Sequence, residues 1–134
     1  MKKYTKTHEW LEVNGEHGTV GITEHAASEL GDITYVEPPS VGRDMILGDN
    51  IGVVESVKAA SDIFAPTSGT VSSVNKRLDD DPGLVNRSPE NEGWIFKLSN
   101  IDFVEINDLL TKEQYDKLFK KEQNSEFHRL EELF

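Results

Sequence analysis

The sequence predicts a mainly β domain, a flattened β-barrel or a sandwich of two small antiparallel sheets. A short helix is expected near 24-30 and a C-terminal helix near 112-122. Three observations carry the prediction. Short apolar runs alternate with Gly and Pro breaks from about Ile33 to Leu98. Asn14-Gly15 sits between Glu9-Trp10-Leu11-Glu12-Val13 and Gly18-Thr19-Val20-Gly21-Ile22, the signature of a tight hairpin whose turn residues take positive φ. Helical periodicity is confined to two places, after Thr23 and after Thr111.

In chain order, the hairpin comes first. Thr23 then caps a helix with Ala26, Ala27 and Leu30 on one side, and Gly31 ends it. Strands are expected at Ile33 to Glu37, Ile51 to Ser56, Ala60 to Ala65, Gly69 to Asn75 and Trp94 to Leu98, with breaks at Pro38, Pro39, Gly42, Gly48, Pro66, Gly69, Pro82 and Gly83. Leu30-Gly31-Asp32-Ile33 and Leu47-Gly48-Asp49-Asn50 echo each other, which suits either two similar half-sheets or chance likeness between turns. Thr111 and Gln114 form a capping box, followed at helical spacing by Tyr115, Leu118 and Phe119. The chain thus divides into a folded domain over 1-123 and an acidic tail over 124-134. In that tail Phe127, Leu130 and Phe134 resume helical spacing.

Composition narrows the function. The chain has 134 residues, 36% hydrophobic and 29% charged, enough for one folded core. Fourteen Lys and Arg against 25 Asp and Glu give a net charge of −11, which repels phosphate backbones and anionic lipid. Neither nucleic acid nor a membrane is expected as partner. No apolar run approaches a membrane span, and Met1-Lys2-Lys3-Tyr4 leads directly into patterned sequence, so a cytoplasmic monomer is expected. Cysteine is absent, so any sulfur chemistry has to come from an attached group.

Catalytic constellations are missing. His8, His17, His25 and His128 lack metal-ligand spacing and are expected at the surface. No phosphate loop, dinucleotide fingerprint or nucleophile elbow occurs. Asp79-Asp80-Asp81 lacks the ligand spacing of a calcium loop and reads as a solvated turn before Pro82-Gly83. The informative stretch is Gly52-Val53-Val54-Glu55-Ser56-Val57-Lys58-Ala59-Ala60-Ser61-Asp62-Ile63. Two strand-like runs meet at Lys58, whose amine a hairpin tip would hold clear of the sheet beside small alanines. On spacing alone it is an ordinary surface lysine.

A resemblance changes that reading. His8-Glu9-Trp10, Thr19-Val20-Gly21-Ile22-Thr23, Leu30-Gly31-Asp32-Ile33 and Val53-Val54-Glu55-Ser56-Val57-Lys58-Ala59 follow one another in the order seen in the glycine cleavage system H protein family. Ser61-Asp62, Pro66, Ser68-Gly69, Val74-Asn75, Leu84-Val85-Asn86, Pro89 and Gly93-Trp94 continue it, so the likeness runs from about Tyr4 to about Tyr115. The flanks of Lys58 resemble the H protein family better than the Asp-Lys-Ala usual in 2-oxoacid dehydrogenase lipoyl domains or the Met-Lys-Met usual in biotinyl domains.

The resemblance implies a lipoyl/biotinyl-type fold with a lipoyl hairpin over 51-65, and (R)-lipoate joined through an amide to Lys58. It implies a non-catalytic carrier, whose tether replaces free diffusion between partner sites. The arm takes the aminomethyl group of glycine from pyridoxal-phosphate-dependent glycine decarboxylase and gives it up at aminomethyltransferase, which uses tetrahydrofolate. FAD-dependent dihydrolipoyl dehydrogenase then reoxidises it. Glu55, Ser56, Val57 and Ala59 frame Lys58 for a lipoate ligase or a lipoyl/octanoyl transferase, although Ser56 could equally satisfy the turn's own backbone. Thr7, Glu9 and Asp62 correspond to a cleft that shields the loaded arm from water. His8 is expected to pack under the arm, and Trp10 and Trp94 to belong to the scaffold.

Three departures stand out: Glu90-Asn91 after Pro89, where an aromatic residue and often a glycine are usual; Pro38 at a strand end; and the tail beyond Asn124. The first puts partner affinity in question. Rival readings keep the fold and change its use: a lipoyl donor or relay supplying 2-oxoacid dehydrogenase subunits, an unmodified interaction module, or a biotin carrier. The retained stretch from Glu55 to Asp62 speaks against the unmodified module, and Val57 and Ala59 speak against biotin.

Overall fold

A computed structural model describes residues 1–119 of the chain. The tail over 124-134, the last residues of the helix expected near 112-122, and His128 lie outside the described residues.

Among the described residues, nine strands form two antiparallel sheets. In chain order the elements are β1 (Lys2–Tyr4), β2 (Glu9–Asn14), β3 (His17–Ile22), α1 (Glu24–Leu30), β4 (Ile33–Glu37), β5 (Asp44–Met45), β6 (Asn50–Ser56), β7 (Ala60–Phe64), β8 (Gly69–Val74), α2 (Arg77–Asp80), α3 (Leu84–Arg87), β9 (Phe96–Ser99) and α4 (Phe103–Ile106). A further helix, α5, is described over 112–119. The larger sheet has the order β1-β2-β3-β9-β8-β5 and the smaller β4-β6-β7. Both sheets are open, so the sandwich form of the expected fold is the one adopted.

Alternation along the strands decides what lies between the sheets. Leu11, Val20, Val71, Phe96 and Leu98 of the larger sheet share one buried cluster with Ile33, Val36, Val54 and Ile63 of the smaller. Successive strand residues face opposite ways, so Trp10, next to Leu11, lies on the outer face. There it is buried with Tyr4 and Tyr115, and Trp94, Leu110 and Phe119 pack against them. The indole N–H of Trp10 donates to the carbonyl of Pro89 at 2.9 Å, so its burial strands no donor. Both tryptophans are scaffold, as expected.

Local signals placed most elements. Thr23 caps α1 by accepting from the backbone N–H of Ala26 at 3.1 Å, and Gly31 closes it. Asn14 pairs with His17, so the turn residues are Gly15 and Glu16, one position later than expected. Only Gly15 is at positive φ, +62°, which places glycine first in the turn, as type II′ requires. The Leu-Gly-Asp echo does not mark two half-sheets. The strands it leads into, β4 and β6, pair with each other in the smaller sheet. Asp79 and Asp80 sit in the one-turn helix α2 rather than in a turn, and Arg87 pairs with Asp81.

Candidate functional site

The smaller sheet carries the candidate attachment point. Strands β6 and β7 pair from Asn50↔Phe64 to Glu55↔Ala60, and Ser56-Val57-Lys58-Ala59 closes the hairpin. Ser56 N–H donates to the carbonyl of Ala59 at 2.7 Å, and Ala59 N–H donates to Ser56 Oγ at 3.1 Å. Ser56 therefore satisfies the turn's own backbone. Glu55, Val57, Lys58 and Ala59 are exposed, and Val57 is 79% accessible despite being aliphatic. Strand β4 pairs with β6 as far as Ser56, so Lys58 lies in the turn just beyond the end of the three-stranded sheet. Its methylene stem passes over Gly31, where a methyl group in place of hydrogen would sit 3.5 Å from Lys58 Cε.

Beside this hairpin lies a cleft of about 180 Å³. One wall is the α1 side, with Ile22, His25, Ala26, Glu29 and Leu30; the other is Val54, Ser61 and Asp62 of the hairpin. Thr7, His8 and Glu9 complete it. The three cleft residues expected from the sequence, Thr7, Glu9 and Asp62, are thus brought together from a loop, a strand start and the far side of the hairpin. Asp62 is exposed at the rim, whereas Glu9 is 1% accessible.

Burial of Glu9 is compensated by hydrogen bonds. Its Oε1 accepts from the hydroxyls of Thr5 at 2.6 Å and Thr7 at 2.5 Å, and its Oε2 accepts from Phe64 N–H at 3.4 Å. Loss of solvent pushes the Glu9 carboxyl above the usual 4.5, and those donors offset only part of the rise. A second cavity of about 400 Å³ lies on the other side of Thr7 and Glu9, lined in part by Lys6, Leu47, Phe64 and Leu109. The Glu9 carboxylate therefore stands in a wall between two cavities. Chemically, the smaller cleft offers an apolar path along Ile22, Ala26, Leu30 and Val54 leading to carboxylates, an arrangement suited to an aliphatic chain ending in a cation.

Histidines and aromatic rings close one side of the cleft. The His8 ring lies 4.8 Å from His25 and 4.4 Å from Phe119, and His8 Nδ1 is 2.7 Å from the Tyr115 hydroxyl. The Tyr115 hydroxyl also meets Thr23 Oγ1 at 2.8 Å, tying α5 to the start of α1. His8 and His25 are thus half-buried and not the surface residues expected, while His17 is exposed. His8 holds φ at +75°, a conformation uncommon outside glycine. Glu90, the departure noted after Pro89, has a structural place: its carboxylate accepts from Tyr4 OH at 2.9 Å and from Glu24 N–H, at the start of α1, at 3.0 Å.

Comparison with known proteins shows what this arrangement belongs to. The model of the family described as glycine cleavage H-protein matches residues 2–122. The chain belongs to the glycine cleavage H-protein family. It is similar to the glycine cleavage system H protein of Thermotoga maritima, 48% identical over 122 residues, covering 91% of this chain and 98% of that one. It is 50% identical over 114 residues to an H protein of Acinetobacter baumannii, covering 85% and 92%. The crystal structure of an H protein from Mycobacterium marinum superposes with a TM-score of 0.80 at 33% identity, covering 89% of this chain and 96% of that one. The family is one of lipoyl carriers, and this chain is accordingly a non-catalytic carrier component of the glycine cleavage system. Among the described residues, no helix is long and apolar enough to cross a membrane.

Sequence reasoning missed the α1 wall of the cleft. A signal was present: His25 and Glu29, and Ala26 and Leu30, are four apart and so share faces of α1. Thr5, which donates to Glu9, carried no signal of its own.

Proposed function

We propose that this H protein bears lipoate in amide linkage on Lys58 and shelters the loaded end of the arm in the cleft formed with Thr7, Glu9 and Asp62. Support comes from one observation above all: the hairpin that carries exposed Lys58 at its tip also lines, through Val54, Ser61 and Asp62, a cleft whose wall includes the buried carboxylate of Glu9. Attachment is an acyl transfer. Lys58 Nζ loses a proton and displaces the leaving group of an activated lipoyl donor, or of an octanoyl donor whose amide then receives two sulfur atoms from a separate sulfur-inserting enzyme, and the ligase or transferase reads Glu55, Val57 and Ala59. When bound, the group supplies a disulfide able to take up a one-carbon amine unit together with two electrons.

The chain's own residues supply position and shelter. Val57 and Ala59, without bulk or charge, leave the approach to Nζ open. Ile22, Ala26, Leu30 and Val54 cover the aliphatic arm and exclude water. Glu9 and Asp62 face the cargo amine, whose positive charge needs a partner once desolvated. Thr5 and Thr7 hold the Glu9 carboxylate by donating to one oxygen. The system's enzymes would meet this carrier in turn: the decarboxylase loads it, the aminomethyltransferase unloads it, and the dihydrolipoyl dehydrogenase restores it.

The test is Lys58→Arg in the reconstituted system. Arginine keeps charge and length but forms no lipoyl amide under these enzymes, so lipoylation and glycine cleavage are both expected to vanish while the fold persists. Activity equal to the parent's refutes the assignment.

A further inference from the structure

We infer that Asn86, on α3 and remote in sequence from the hairpin, is a positioning residue for acylation of Lys58; the inference rests on the reading of Lys58 as the attachment site. The Ser56 hydrogen bonds close the hairpin tip upon itself. A different bond ties the tip to the rest of the fold: Val57 N–H donates to the backbone carbonyl of Asp32 at 3.2 Å. Val57 immediately precedes Lys58, so the placement of the Asp32 carbonyl sets where the attachment lysine begins.

Asp32 lies in the short link from α1 to β4, and that link has little structure of its own. Gly31 holds φ +76° and ψ −154°, a region open essentially to glycine alone. Asn86 fixes the link from both sides. Its side-chain NH2 donates to the Gly31 carbonyl at 2.8 Å, and its side-chain oxygen accepts from Ile33 N–H at 2.9 Å. The two peptide groups flanking Asp32 are therefore gripped by one amide, and the Asp32 carbonyl is held toward Val57. The Lys58 stem lies beside the same link, close enough that a methyl group on Gly31 would touch Lys58 Cε. Asn86 thus sets both the height of the tip and the direction in which the lysine leaves it. An enzyme that must bring an activated acyl carbon onto one Nζ depends on that placement, because a displacement on the order of 1 Å lowers a rate by up to about a hundredfold.

The experiment compares the parent with Asn86→Ala and Asn86→Asp in full-length protein. Asp keeps the acceptor for Ile33 N–H but turns an oxygen toward the Gly31 carbonyl. Three readouts are taken: kcat/KM for a lipoate ligase given lipoate and ATP, reaction of Lys58 with a lipoyl succinimidyl ester, and amide exchange at Val57. For Asn86→Ala, ligase kcat/KM is expected to fall about tenfold, while the ester, which needs only an accessible amine, reacts within about twofold of the parent. Val57 exchanges faster, while the core amides of Val20 and Phe96 keep their protection. Asn86→Asp, whose second carboxylate oxygen repels the Gly31 carbonyl, falls at least as far as Asn86→Ala.

Ligase kinetics equal to the parent's, or unchanged exchange at Val57, overturn the inference. Equal losses toward ligase and ester also overturn it, since they would show a general loss of structure. If the ligase leaves Lys58 of the parent unmodified, the attachment reading fails, and exchange at Val57 still decides whether Asn86 holds the tip.

Discussion

Replacing Glu9 with Gln tests the cleft most sharply. The change keeps an oxygen for the Thr5 and Thr7 hydroxyls, removes the charge at a position 1% accessible, and gives up only the long contact from Phe64 N–H. A hydrogen bond to a charged group contributes about 1.5–3 kcal/mol. Losing it between Glu9 and a cationic cargo therefore shifts the arm from cleft to solvent by roughly 10- to 150-fold. The assay loads parent and Glu9→Gln carriers with the decarboxylase, removes the enzyme, and follows formaldehyde release. Faster release is expected from the variant, with lipoylation unaffected. Release from the variant at the parent's rate refutes the role of Glu9.

The raised pKa of Glu9 bears on folding. Between 4.5 and its higher folded value, Glu9 binds a proton in the folded chain that the unfolded chain has released, so its contribution to stability declines as pH rises through that window. Urea titrations should show this slope in the parent and not in Glu9→Gln. Glu105 works the other way: partial burial pushes its carboxyl up, but Ser68 N–H, Ser68 OH and Thr67 OH outweigh this and hold it below 4.5. Its contribution is present above 4.5 and is lost as pH falls through the lowered value, and Glu105→Gln should remove that loss in acid denaturation curves. Tyr115→Phe keeps the ring stacked on Tyr4 and deletes the hydroxyl that meets Thr23 and His8. It should cost about 1–3 kcal/mol in urea unfolding, and a change below about 0.3 kcal/mol contradicts the bond's weight.

Much of the sandwich was legible because its strands carry their own punctuation. The hairpin around Gly15, α1 with its Thr23 cap, and β6 to β8 are all bounded by residues whose backbone preferences act locally. What stayed hidden lacks such signals. Strand β1 is Lys2-Lys3-Tyr4, too short to alternate, and forms by pairing with Trp10, Leu11 and Glu12. Strand β5 is two residues on the edge beside β8. Helices α2, α3 and α4 have four residues each, about one turn, so helical periodicity has no room to appear. At the site, Lys58 and its flanks were readable as a hairpin tip, but its significance and the grouping of Thr7, Glu9 and Asp62 came from resemblance. The cleft itself is tertiary: Glu9 meets Phe64 N–H at an edge of the smaller sheet that local sequence does not reveal. Glu90 shows the reverse case, an unusual residue whose role emerged only with its partners Tyr4 and Glu24.

The most direct measurement is the intact mass of the protein isolated from its natural host, followed by peptide mapping. The account predicts one lipoyl group, on the peptide containing Lys58 and nowhere else. An unmodified Lys58 in a host that cleaves glycine through this chain, or a lipoyl group on another lysine, contradicts it.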